Sequence, residues 1–243
     1  MKLEEKVAIV TGGSSGIGKA IVEKYVEEGA EVVVADIDED KGKKVAEELG
    51  CGFKICDVSS WDNVKKVVDE TAEEYGRLDI IVNNAGIGAI STIEEMSIDE
   101  WKKILEVDLD GVMHGTKAAV PYLKESEGCV INIASIYGLT GDVGATAYNA
   151  AKGGVVNFTR SVADDLAQAN VRVNSICPGF VDTPMIKEAM EDEAFRKHVM
   201  NMTPMKRIAQ PEEIADVAVF LASDGASYIT GVNLPVDGGW TAH

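Results

Sequence analysis

The stretch KVAIVTGGSSGIG, residues 6–18, decides how this chain folds. Val7 to Val10 form a short apolar run that reads as a buried strand. A helical pattern of apolar residues begins at Ile17 and runs to Glu28, closed by Gly29. Between them, Gly12, Gly16 and Gly18 make a turn whose backbone can come close to a bound group. Their spacing of 4 and 2 departs from the G-x-G-x-x-G order. The physics is unchanged: the first N–H groups of the helix face whatever anion the turn admits, and a pyrophosphate suits them.

The alternation continues outward from this turn. EVVVAD (31–36), EDKGKKVAEELG (39–50), GFKICDV (52–58), SWDNVKKVVDETAEEYG (60–76) and LDIIVNNAG (78–86) read as strand, helix, strand, helix, strand. A long helix from about Ile98 to Leu123 precedes CVINIAS (129–135); the helix opened by YNAAK (148–152) precedes VRVNSICPG (171–179). Strands apolar on both faces and separated by helices imply a parallel sheet covered on both sides. Right-handed crossovers then give a doubly wound, Rossmann-like α/β fold with ligands at the C-terminal strand ends. Residues 184–215, Met-rich and charged with Pro184, Pro204 and Pro211, break the rhythm and read as a helical lid within one domain spanning residues 1–243.

Bulk properties exclude several classes. With 41 acidic against 23 basic residues the net charge is −18, which repels phosphate backbones, so no nucleic-acid partner is expected. MKLEEK runs directly into VAIV, too short for a signal core, and no apolar run approaches a membrane span of about 20 residues. A soluble, cytoplasmic protein without a membrane partner is the expectation. Cys51, Cys56, Cys129 and Cys177 have neither CxxC pairing nor His partners at zinc spacing, so they read as buried thiols and no metal site is expected.

Asp36 closes the second strand, about 20 residues beyond the glycine turn, where a carboxylate accepts hydrogen bonds from an adenosine ribose. No Lys or Arg lies between Gly12 and Gly16, and Asp38, Glu39 and Asp40 follow. A 2′-phosphate would meet only repulsion there, so the reading is NAD rather than NADP.

TGGSSGIG, NNAG at 83–86, Ser135, YNAAK at 148–152, PG at 178–179 and the ending PVDGGW occur in one order on one chain. Together they resemble the short-chain dehydrogenase/reductase family in its compact single-domain form, and the likeness covers essentially the whole chain. The resemblance implies that Ser135, Tyr148 and Lys152 are catalytic, and that Asp57 contacts adenine. It also implies that Asn83 to Gly86 shape the floor of the cofactor site and that Thr183 holds the nicotinamide amide. Further cofactor contacts are implied for Ser14, Ser15, Ile17, Ile37, Val58, Asn84, Ala85, Tyr148, Lys152, Pro178, Gly179 and Val181. It further implies a homotetramer.

The chemistry suits the i,i+4 pair. Removing the proton of a secondary alcohol needs a base, and bringing a tyrosine from about 10 to about 7 takes roughly 4 kcal/mol. An ammonium about 5 Å away at an effective dielectric near 20 supplies on the order of 3 kcal/mol. Lys152, at the head of a stripe formed by Val155, Thr159, Val162 and Leu166, is expected to lower Tyr148 in this way and to bind the nicotinamide ribose; a positive nicotinamide would supply the remainder. Ser135 is expected to hydrogen-bond the substrate oxygen.

One position departs from the family. Its V-N-L-x-G asparagine, which completes a proton relay to the lysine, is here Asp108 in VDLDG. Asp108 lies in line with Trp101, Leu105, Val112 and Ala119, which predicts an inward carboxylate that carries the relay by pairing with Lys152 or by staying protonated. The expected substrate is a neutral secondary alcohol or ketone, such as a hydroxysteroid, cyclic alcohol or polyol, bound near Met185, Met190, Met200, Met202 and Met205. A 3-oxoacyl thioester reductase is the alternative within the family, and a non-catalytic dinucleotide sensor the alternative of another class.

Overall fold

The computed structural model describes residues 1–88 and 91–242. Seven strands form one parallel sheet in the order β3-β2-β1-β4-β5-β6-β7. They are β1 (Val7–Thr11), β2 (Glu31–Asp36), β3 (Gly52–Ile55), β4 (Ile80–Asn83), β5 (Cys129–Ile133), β6 (Arg172–Pro178) and β7 (Asn233–Val236). The helices between them are α1 (Gly16–Glu27), α2 (Glu39–Leu49), α3 (Trp61–Tyr75), α4 (Ile98–Leu105), α5 (Gly111–Ser126) and α6 (Thr146–Leu166). After β6 come α7 (Pro184–Lys187), α8 (Glu193–Met202) and α9 (Pro211–Ala222). Among the described residues, no helix is long and apolar enough to cross a membrane.

The strands read as continuous apolar runs because each feeds two cores. Ala8, Val10, Val32, Val34 and Ile131 join the cluster under α1 and α9, where Ile21, Tyr25, Ile214 and Leu221 pack. Val7, Ile9, Val33, Ala35 and Val130 point the other way, toward Val64, Val67, Leu123 and Leu166 of α3, α5 and α6. This is the period-2 alternation of a strand, with both faces covered. Tyr25 brings a hydroxyl into the first cluster and donates it to the carbonyl of Ala218 at 3.2 Å, which offsets its desolvation.

The order in which strands are added reverses at β1. β2 lies on one side of it and β4 on the other, with Ala8 opposite both Val32 and Ile80. The crevice at the C-terminal ends of β1 and β4 is therefore the topological switch point, where such sheets bind ligands.

Two expectations need correction. The long helix is not uniform: α4 and α5 are joined by a π-turn, Glu106–Asp110, and the whole extends to Ser126. Nor is the stretch 184–215 a single unit: its last residues belong to α9. Pro211 opens α9, whose Ile214 and Ala215 are fully buried against α1. The start of α9 is fixed by Glu213, which accepts from the Gln210 N–H at 2.9 Å and pairs with both terminal nitrogens of Arg207 at 2.6 and 2.7 Å. Those bonds, the arginine's first, hold the Glu213 carboxyl down at about 2.

All four cysteines are free, and Cys56, Cys129 and Cys177 are buried. Burial pushes the Cys56 thiol up to about 12 and the Cys129 thiol up to about 11, so neither offers a thiolate near neutral pH.

Candidate active site

The glycine turn is built for close approach. Gly12 has φ +63°, and a Cβ there would lie 2.9 Å from the Ala85 Cα; one at Gly18 would lie 2.1 Å from the Gly12 carbonyl oxygen. Both distances are too short for any side chain, so the turn can exist only with glycine. NNAG holds it from across the switch point. The Asn84 amide donates to the carbonyls of Thr11 and Gly12 at 2.9 and 3.1 Å, while Thr11 Oγ1 accepts from the N–H groups of Asn84 and Ala85. Ser15, at the N-cap of α1, makes no side-chain cap bond, and the first turn carries no acid. The first N–H groups of α1 are thus left for an outside anion, which fits the pyrophosphate of a dinucleotide.

Of the other residues expected around the cofactor, Asp36 and Thr183 lie directly against this turn. Asp36 accepts from the Ser14 N–H at 3.0 Å and from the Asp38 N–H at 3.0 Å, which fixes its carboxylate beside the glycines. Ile37 projects outward, 68% exposed. Thr183 sits against Gly16, its methyl 3.2 Å from where a Cβ would be, and Ile17 is half-buried. Asp57 accepts from both the N–H and the hydroxyl of Ser59, at 3.0 and 2.7 Å. Val58 packs on Gly111. Val181 is buried and bridges to Ala209, while Gly179 approaches Asp237. Pro178 ends β6. Asn83 lies deeper than the expected floor: its amide donates to Thr116 and Asn132, tying α5 to the sheet.

Ser135, Tyr148, Lys152 and Asp108 converge at the C-terminal edge of β5. Ser135 follows that strand and accepts the Tyr137 N–H at 3.1 Å. Tyr148 and Lys152 stand one turn apart near the start of α6, with the ammonium 5.4 Å from the phenol ring centre. Lys152 is 3% exposed and Asp108 fully buried. The ammonium donates to the Ile133 carbonyl at 3.1 Å and lies 3.3 Å from Asp108 Oδ2. Asp108 Oδ1 accepts the Ile87 N–H at 2.8 Å. A Cβ at Gly86 would sit 3.0 Å from Asp108 Oδ2 and 3.5 Å from the ammonium, so NNAG, the π-turn and YNAAK meet at one point. The inward carboxylate is found, paired with the lysine. The π-turn that carries it is a deformation often seen at functional positions.

The electrostatics correct one expectation. Tyr148 is held above the ordinary tyrosine value rather than below it. Desolvation is the main cause and Asp108 adds to it, outweighing the lowering effect of Lys152 and the smaller one of Ser135. A lysine with a carboxylate beside it delivers only part of its field to the phenol. Burial also raises Asp108, partly offset by Lys152 and the Ile87 N–H. For Lys152, desolvation is outweighed by Asp108 and Tyr148, so the ammonium stays charged.

Sequence reasoning missed an aromatic wall. Tyr137 packs edge-on against Tyr148 (6.2 Å between ring centres) and Phe180 (6.3 Å). Phe180 continues to Trp240 at 5.2 Å and to Phe195 of α8 at 5.7 Å. These residues come from five separate segments, so no periodicity announces them. Of the methionines expected near the substrate, Met185 approaches Gly88, its Cγ 3.7 Å from where a Cβ would be, and Met205 approaches Gly238. Met190 and Met200 are half-buried, and Met202 is exposed.

Comparison with known proteins agrees with this arrangement. Residues 12–241 match the family model described as enoyl-(acyl carrier protein) reductase. The meso-2,3-butanediol dehydrogenase of Serratia marcescens is 44% identical, over 100% of this chain and 97% of its own. The 3-oxoacyl-(acyl-carrier-protein) reductase of Thermotoga maritima is 40% identical, over 98% and 99%. A solved structure titled "Crystal structure of gox2181" superposes with a TM-score of 0.98 at 35% identity, covering 100% of this chain and 98% of that one. With this sheet, this glycine turn and these relatives, the chain belongs to the short-chain dehydrogenase/reductase family of nicotinamide-dinucleotide oxidoreductases.

Proposed function

We propose that this enzyme interconverts a neutral secondary alcohol and its ketone with NAD. The observation that carries the reading is the convergence of Ser135, Tyr148 and the buried Lys152–Asp108 pair beside the glycine turn. The dinucleotide, when bound, supplies the hydride chemistry. Ser135 hydrogen-bonds the substrate oxygen, and Tyr148 takes the hydroxyl proton or returns it to the ketone oxygen. Lys152 favours the ionised phenol, and Asp108 keeps Lys152 charged at the cost of opposing that ionisation. Support for NAD over NADP comes from Asp36 fixed beside Ser14, with the nearby Lys41 already paired to Asp38 at 2.6 Å. The butanediol dehydrogenase relative supports a small neutral substrate. Family membership supports a homotetramer, and the four free cysteines support a reducing, cytoplasmic setting.

The 40% identity to the 3-oxoacyl reductase favours a second reading, a thioester reductase. Glu188, Glu191, Asp192 and Glu193 oppose it, because they expose four acidic groups on the segment from the end of α7 to the start of α8, which disfavours an acidic carrier. The test is the ultraviolet absorbance of reduced nicotinamide formed from NAD⁺ or NADP⁺ with a panel of secondary alcohols. Turnover with NAD⁺ is expected. Turnover with NADP⁺ alone would overturn the role given to Asp36, and activity on 3-oxoacyl thioesters alone would install the second reading.

Asp108→Asn keeps an acceptor for the Ile87 N–H but removes a charge that disfavours the phenolate. The Tyr148 pKa should fall, so the pH profile of alcohol oxidation should move to lower pH. An unmoved profile with an unchanged rate would show that Asp108 takes no part.

A further inference from the structure

The segment after β5 folds as a short 3-10 turn, Ile136–Gly138, laid directly on α6. Gly138 makes this possible, since a Cβ there would lie 2.6 Å from the Lys152 carbonyl oxygen. The contact fixes Tyr137 beside Tyr148 at the head of the aromatic wall. Its hydroxyl donates to Asp142 Oδ2 at 2.6 Å, the short distance of a charge-assisted bond.

Asp142 is itself held in place. Its Oδ1 accepts the Val143 N–H at 2.7 Å. The Asn149 amide of α6, turned so that its oxygen faces the Asp142 N–H (3.0 Å) and its nitrogen the Ala145 carbonyl (3.2 Å), pins the loop from below. Ser91 pins it from the side, donating its N–H to the Gly144 carbonyl at 2.7 Å. The phenol has one proton, and Asp142 takes it. The oxygen is left as an acceptor, strengthened because the bond to a carboxylate draws negative charge onto it.

We propose that Tyr137, oriented by Asp142, determines specificity by accepting a hydrogen bond from a second hydroxyl of the substrate, next to the carbon that reacts at Tyr148. The preferred substrate class is then a small vicinal diol, with its hydroxyketone as the partner compound. This rests on the alcohol dehydrogenase reading above. A site that hydrogen-bonds a hydroxyl discriminates strongly against an analogue lacking it, because its own polar group is then left without a partner.

The experiment compares kcat/KM for 2,3-butanediol and 2-butanol with NAD⁺ in the wild type, in Tyr137→Phe and in Asp142→Ala. The wild type is expected to favour the diol. Tyr137→Phe keeps the ring and its packing, and should lose about tenfold to a hundredfold on the diol, the range for a bond to a charge-polarised group, with the mono-alcohol nearly unchanged. Asp142→Ala, on a partly exposed loop, should lose severalfold on the diol alone, because the free phenol proton then competes with the substrate's. Equal losses on both substrates, or an undiminished diol preference in Tyr137→Phe, would overturn the proposal. A wild type silent on both alcohols would instead overturn the dehydrogenase reading on which it rests.

Discussion

Tyr148→Phe is expected to lower kcat by about a hundredfold to ten-thousandfold in both directions, the span that one positioned acid–base group contributes. The substitution deletes one oxygen and nothing else. The ring keeps its edge-on packing with Tyr137 and its place 5.4 Å from the Lys152 ammonium. Binding of the reduced dinucleotide, followed by fluorescence, should change far less than kcat, because the glycine turn and its Asn84 and Asp36 supports are untouched. The wild-type phenol, held above its ordinary pKa, is protonated at neutral pH. Ketone reduction, which needs a proton, should therefore be the easier direction near neutrality, and oxidation should gain with rising pH. A Phe variant retaining more than a tenth of the wild-type kcat would remove Tyr148 from the chemistry.

Lys152→Met should be the most damaging single change to stability. It removes the cation 3.3 Å from a carboxylate that has no access to water, and it strands the Ile133 carbonyl as well. Leaving a buried charge without its partner costs about 3–5 kcal/mol. Without Lys152, burial alone would push Asp108 further above its unfolded pKa, so the folded variant binds more protons than the unfolded chain. Its stability should then fall as pH rises through the unfolded value of about 4, and level off only above the folded pKa. Urea unfolding across pH measures this. The double variant Lys152→Met, Asp108→Asn carries no buried charge at this point and should recover a large part of the loss. A double variant as unstable as the single one would show that the pair contributes nothing beyond packing.

These two residues also mark how far the sequence could be read. The i,i+4 spacing put Tyr148 and Lys152 on one face of α6, and the inward stripe placed Asp108 toward the core; both are properties of helix geometry, fixed within a few turns. The fold was legible for the same reason. β-Branched apolar runs such as Val7–Val10 and Val32–Val34 favour a strand covered on both faces, and the close approaches at 12 and 18 tolerate only glycine. Those are short-range facts of backbone sterics and side-chain period.

Tertiary structure alone decided the rest. The sign of the Tyr148 shift depends on how burial, Lys152 and Asp108 sum at one oxygen, with contributions from α6, the π-turn and the end of β5. The start of α9 at Pro211 depends on which face of that helix meets α1, and the Met-rich run before it hid that boundary. Tyr137 was passed over because its meaning lies in Asp142 five residues on, in Gly138 packed on Lys152, and in Phe180 and Trp240 from distant segments. Local sequence encodes which atoms a segment can offer and on which face. The field and the neighbours each atom meets are set only when distant segments pack together.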